Sequence, residues 1–183
     1  MRSLGAILIC SSVACSAVSS LDQPPSELTD GELQVMRGFF DDTYVLASEK
    51  GLYVHLDEQT VVPENLTSET MTIASESTRS NFFWINRQQT TIPGDAFPTE
   101  PVRVDSLHGD SATWEGWEAY YKTYPKSVGR GIISRVGFND ERTEALLYFG
   151  IQSQGLAGSG HLILLRLQGD QWVMTAKHMI WIS

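Results

Sequence analysis

The chain has 183 residues, 42% of them hydrophobic, and 22 acidic against 13 basic side chains leave a formal charge of −9 at pH 7. That sign disfavours nucleic acid and anionic membrane surfaces as partners, since both repel an acidic domain. The only two cysteines, Cys10 and Cys15, lie near the start, so a domain without that segment has no thiol for a disulfide, a thiolate metal site or a cysteine nucleophile.

Residues 1–19 read as a signal peptide. Met1-Arg2-Ser3 gives a positive start, residues 4–14 an apolar run, and Ala17-Val18-Ser19 a small-residue exit. A run of about ten apolar residues is too short for a membrane span, which needs about 20. No later run of apolar residues approaches that length, so no transmembrane helix is expected. Val13-Ala14-Cys15-Ser16 resembles the lipobox of bacterial lipoproteins, with Ser12 where that motif usually carries leucine. The resemblance implies a lipid anchor on Cys15 as the first mature residue, and both exits stay open. Residues 20–28 serve as a tether, and residues 29–183 form one domain of a size that buries roughly two-thirds of its unfolded surface.

Thr29 and Glu32 fit a capping box, and Leu33, Met36, Phe39 and Phe40 recur at helical spacing, which predicts a helix over 29–41 that Gly38 weakens. Strand-like stretches at 44–47 and 52–56 flank Glu49-Lys50-Gly51, and a third at 60–62 ends at Pro63, the pattern of a hairpin. In 67–88, Met71, Ala74, Phe82, Phe83 and Ile85 line one side of a helix whose Ser/Thr-dense first half is irregular. A Pro-rich loop over 92–101 precedes a short strand at 102–107.

A further helix is expected from about residue 111 to Pro125, with Trp114, Trp117, Tyr121 and Tyr124 as a stripe. Trp114, Trp117 and Tyr121 are expected to face inward; the alternative is a ligand-stacking platform. Glu115, Glu118 and the pair Asp41-Asp42 read as solvated faces. The C-terminal third reads as a four-stranded meander over 131–138, 144–152, 161–168 and 172–182. Strands joined by short turns pair antiparallel. A two-residue Gly169-Asp170 loop sets Leu167 opposite Trp172, Ile163 opposite Ala176 and His161 opposite His178.

Ser134-Arg135-Val136-Gly137-Phe138-Asn139, Ala145 to Tyr148, Gly155 to Gly160 and the final Trp181-Ile182-Ser183 resemble a set of uncharacterised secreted bacterial proteins, with residues 117–125 extending the match. No activity comes with that resemblance. The order of helices followed by a meander is more distantly similar to cup-shaped NTF2-like domains, and fold alone does not imply function.

The candidate chemistry is sparse. His161 and His178 form the one motivated pair, able to work as acid and base or to contribute two metal ligands. Catalytic zinc needs three protein ligands and no HExxH spacing supplies a third, so neither a metal nor a cofactor is expected. His55 and His108 have no spacing argument. Residues 155–160 lack the lysine and helix of a phosphate loop and read as a flexible connection; Ser159 fails the nucleophile-elbow spacing. The sequon at Asn65 matters only in a eukaryotic secretory route.

The expected fold class is therefore α+β, with two or three helices on a curved antiparallel sheet. The expected function is an exported or envelope-anchored non-catalytic module for a small-molecule or protein partner. Two alternatives stand beside it: a cup-shaped enzyme using His178 or His161 with a carboxylate, and an acidic inhibitor or immunity-type protein.

Overall fold

A computed structural model describes residues 23–64, 66–67, 69–98, 101–107 and 113–183. The expected signal peptide with Cys15, Asn65 and His108 lie outside the described residues. The fold is α+β: four α-helices among the described residues and a seven-stranded mixed sheet, mostly antiparallel. No helix among them is long and apolar enough to cross a membrane.

Helix α1 spans Asp30–Thr43, and its capping box forms as the sequence predicts: the Thr29 hydroxyl accepts from the Glu32 N–H while the Glu32 carboxylate accepts from the Thr29 N–H. Gly38 has a packing reason, because a Cβ there would lie 3.2 Å from the Trp172 carbonyl oxygen. The strand expected at 44–47 is instead helix α2, Val45–Glu49. The β-branched and aromatic residues there have no neighbouring strand to pair with, so the backbone satisfies itself locally through Ala47 and Ser48 N–H bonds to the Tyr44 carbonyl.

Strand β1, Tyr53–Asp57, has no hairpin partner at 60–62; it runs parallel to β2, Val102–Asp105, on one side and to β3, Ser127–Ile133, on the other. Parallel pairs require long crossovers, and the connections here carry a short 3₁₀ turn (Thr70–Ile73) with helix α3 (Glu76–Ile85), and helix α4 (Trp114–Thr123). The fully antiparallel expectation thus fails in the first half of the sheet. It holds in the second half, where β5 (Glu144–Gln154), β6 (Ala157–Gln168) and β7 (Gln171–Ile182) form a meander.

The strand expected over 131–138 splits into β3 and β4, Gly137–Phe138, both paired to β5. The break frees Arg135 to turn inward. Its side chain is fully buried against Glu32 on α1, Nε to Oε1 at 3.0 Å and Nη2 to Oε2 at 2.9 Å. The remaining N–H groups reach the Pro25 and Glu27 carbonyls and the Thr90 hydroxyl, so all five guanidinium donors are used. Most of residues 155–160 belongs to strand β6 rather than to the connection. Gly155-Leu156 is the whole turn, and Gly160 sits in β6 because a Cβ there would overlap the Trp181 indole and Tyr148 hydroxyl.

Two cores result, one on each sheet face. One buries Val35, Met36, Phe39 and Phe40 of α1 against Ala145, Leu147, Phe149, Ile163 and Leu165. The other buries Met71 and Phe82 against Leu146, Tyr148, Leu162 and Leu164. Helix α4 covers the second face at its other end, above β1 and β3, where Tyr120 and Tyr124 meet the His55 ring.

Candidate ligand-binding site

Between α4 and the second core, the sheet face stays open as a cleft of about 230 Å³ lined by Asp57, Leu107, Arg130, Ile132, Gly150, Ile151, Gln152 and Trp181. Strand alternation explains the lining, since every second residue of a strand points to one face. Arg130 faces Gln152 across β3 and β5, and Ile132 faces Gly150. Gly150 keeps the floor open: a Cβ there would stand 3.1 Å from both Ile132 Cγ1 and the Tyr148 hydroxyl.

The polar groups are held from behind. The Arg130 guanidinium lies 5.3 Å from the Tyr120 ring centroid and 5.9 Å from that of Trp117, so α4 fixes the cation through aromatic faces. Tyr120 is itself anchored by a 2.7 Å hydroxyl bond to Ser127, and burial pushes its pKa up to about 12. The Trp181 indole N–H donates to the Tyr148 hydroxyl at 2.6 Å, and burial raises that hydroxyl's pKa. Asp57 Oδ1 accepts from the Gln59 N–H at 2.9 Å, which orients the carboxylate. Next to it in the strand alternation, His55 is buried under Tyr120 and Tyr124, and among the described residues its Nδ1 has no hydrogen-bond partner. Burial holds its pKa below the ordinary 6.5, assisted by Arg130 and Arg103 and opposed by Asp105 and Asp57. The cleft thus brings together a guanidinium, a carboxylate, a carboxamide and an apolar wall.

The histidine pair does not form. β7 carries an extra residue at Thr175, between the pairs Leu165–Met174 and Leu164–Ala176, so beyond it the register moves by one. Leu162 then faces His178, and His161 faces Met179. A one-residue shift moves side chains to the other face, which puts the two imidazoles on opposite sides of the sheet. His161 is pushed below its ordinary pKa by burial and by Lys177. Among the described residues neither imidazole has a carboxylate within ion-pair distance, and no group of three or more His, Cys, Asp and Glu is placed to hold a metal.

The aromatic stripe divides. Trp117 is 2% exposed and packs inward with Tyr120, whereas Trp114, the first residue of α4, is 67% exposed. The inward expectation for Trp114 is therefore overturned, because the first turn of α4 leaves that ring outside the packed face. Tyr121 is half-buried, with its hydroxyl donating to the Ser153 carbonyl at 2.7 Å. Asp57, Arg130, Gln152 and Trp181 escaped the sequence reading. Their signals were a lone arginine between Gly129 and Gly131 and a tryptophan next to the C-terminus.

No family model, curated protein or solved structure matches the chain. The site has to be read from its own chemistry.

Proposed function

We propose that the protein is an exported, non-catalytic binding module whose cleft takes a small polar molecule with an acceptor group for Arg130 and a donor for Asp57. The observation that carries this reading is a cleft in which both charges are positioned by secondary contacts, Arg130 against Tyr120 and Trp117 and Asp57 by the Gln59 N–H. Pre-positioned polar groups around an apolar wall are what small-ligand recognition uses. His161 and His178 do not line this cleft, so the reading assigns them no role in it. Residues 1–19 direct export on this reading, and the acidic charge serves solubility.

The test is a thermal-shift screen with small carboxylates, amino acids and amides. A ligand at 100 times its Kd stabilises by about 2.7 kcal/mol, a rise of roughly 5–10 °C for a domain of this size. The rise should vanish in Arg130→Gln and shrink in Asp57→Asn. A panel without a saturable hit, or a hit whose stabilisation survives both substitutions, overturns the proposal.

A further inference from the structure

Along α4, beside the end of β5, Trp114, Trp117, Glu118, Tyr121 and Gln154 line another cavity of about 260 Å³. Sequence spacing explains why these residues meet. Trp114, Glu118 and Tyr121 stand at i, i+4 and i+7 of one helix, with Trp117 at i+3, so they form one stripe. Two helical turns separate Trp114 from Tyr121, roughly 10 Å along the axis. Glu118 lies between them, although its sequence reads as a solvated position off the stripe.

The lower wall is rigid. The Trp117 and Tyr121 rings stack with centroids 5.9 Å apart and planes 30° from parallel, and the Tyr121 hydroxyl is tied to the β5 backbone. Trp117 is 2% exposed and closes the inner end of the wall, which leaves Tyr121 and Trp114 as the accessible rings. Burial raises the Tyr121 pKa, which keeps its hydroxyl protonated and the ring uncharged at neutral pH. The upper wall is open: Trp114 is the one exposed tryptophan among the described residues and has no ring partner there. An exposed indole and a fixed aromatic pair therefore line one cavity together with one carboxylate and one carboxamide.

We propose that this cavity is an aromatic cage for a quaternary ammonium group. Indole and phenol faces carry negative potential and attract cations, most strongly when the cation is weakly hydrated. A quaternary ammonium has no N–H to leave unsatisfied against the rings, unlike a primary amine. Glu118 adds a carboxylate, the lining contains no basic side chain, and the chain is acidic overall. An anion is repelled. A neutral sugar gains the stacking surface but nothing from the carboxylate's charge. The same headgroup occurs in free choline and in phosphatidylcholine, and the cage recognises the chemistry the two share. The inference does not depend on the central cleft having a ligand.

The experiment titrates the full chain with choline, followed by tryptophan fluorescence and calorimetry, beside 3,3-dimethylbutanol, its neutral isostere, and methyl glucoside. Choline should bind saturably, with the isostere about tenfold weaker and Trp114→Ala weakening choline by about tenfold or more. Glu118→Gln should weaken choline severalfold and leave the isostere unchanged, a difference that a folding defect would not produce. Both substituted residues are exposed, so the fold should survive. Absence of choline binding, equal affinity for choline and isostere, or preference for methyl glucoside overturns the cage. Phosphatidylcholine vesicles separate the sources: sedimentation that choline reverses assigns a lipid headgroup, and choline binding without sedimentation assigns a free cation.

Discussion

Replacing Arg135 by methionine should cost the fold about 3–5 kcal/mol, the range for breaking a buried ion pair by removing one partner. Arg135 is fully buried and Glu32 is 2% exposed, so the stranded carboxylate cannot turn to water without opening α1. Three donors remain on it after the substitution, the Thr29 N–H, the Thr29 hydroxyl and the Val136 N–H. These place the loss toward the lower end of the range. The freed Pro25 and Glu27 carbonyls add little where that segment can swing into solvent. At about 2–4 °C per kcal/mol for a chain of this size, the melting temperature should fall by roughly 10 °C.

The informative measurement is a double-mutant cycle by urea unfolding, monitored by circular dichroism. Arg135→Met and Glu32→Leu should each be severe, yet the double variant should lie only about 1 kcal/mol below the parent. An apolar pair replaces the charges without a desolvation cost, and the lost capping box accounts for the remainder. An Arg135→Met loss under about 1 kcal/mol would refute the reasoning, as would a double variant equal to the sum of the singles.

Trp117→Ala should cost about 3–5 kcal/mol, whereas Trp114→Ala should stay within about 0.5 kcal/mol because its ring is already largely in water. Equal losses in urea unfolding would show that the stripe is not divided as described. His55 supplies a pH dependence. Its folded pKa lies below 6.5, so under that pH the unfolded chain takes up a proton that the folded chain resists, and stability falls as pH falls. That contribution is fully present above pH 6.5. His55→Gln should flatten the stability profile from pH 6.5 downward, by at most about 1.4 kcal/mol per pH unit. An unchanged slope across pH 5–8 counts against the assignment.

Local signals were legible in the sequence where a local rule decides the outcome. Thr29 and Glu32 announce α1 because a capping box is complete within four residues, and Gly169-Asp170 announces the last hairpin because the turn fixes its first pairs. Leu167 does face Trp172 and Leu165 does face Met174. The prediction fails at Thr175, where one extra residue without a glycine or proline to mark it takes Ala176 and His178 to the other face. Nothing local foretells the parallel pairs of β1, since Tyr53–Asp57 reads the same whether its neighbour is a hairpin partner or a strand many residues later. The cleft was hidden for the same reason. Asp57, Arg130, Gln152 and Trp181 come from four strands that meet only once the whole sheet order β2-β1-β3-β5-β6-β7 exists. Arg135 was visible as a charge in an apolar run, but its burial depends on Glu32, 103 residues earlier.

That distance gives the ion pair a place in time as well as in space. Closing a loop of a hundred residues costs about 2 kcal/mol more chain entropy than closing one of ten, so contacts made by the β5–β6 and β6–β7 turns have a head start. The guanidinium that joins α1 to the break between β3 and β4 then locks the N-terminal part onto a meander already built. In stopped-flow kinetics such a late lock acts on the rate of opening: Arg135→Met should unfold faster while refolding at nearly the parent rate, and a matching slowdown of refolding would place the pair in the folding nucleus. The buried arginine thereby sets how long the finished molecule lasts more than how quickly it forms.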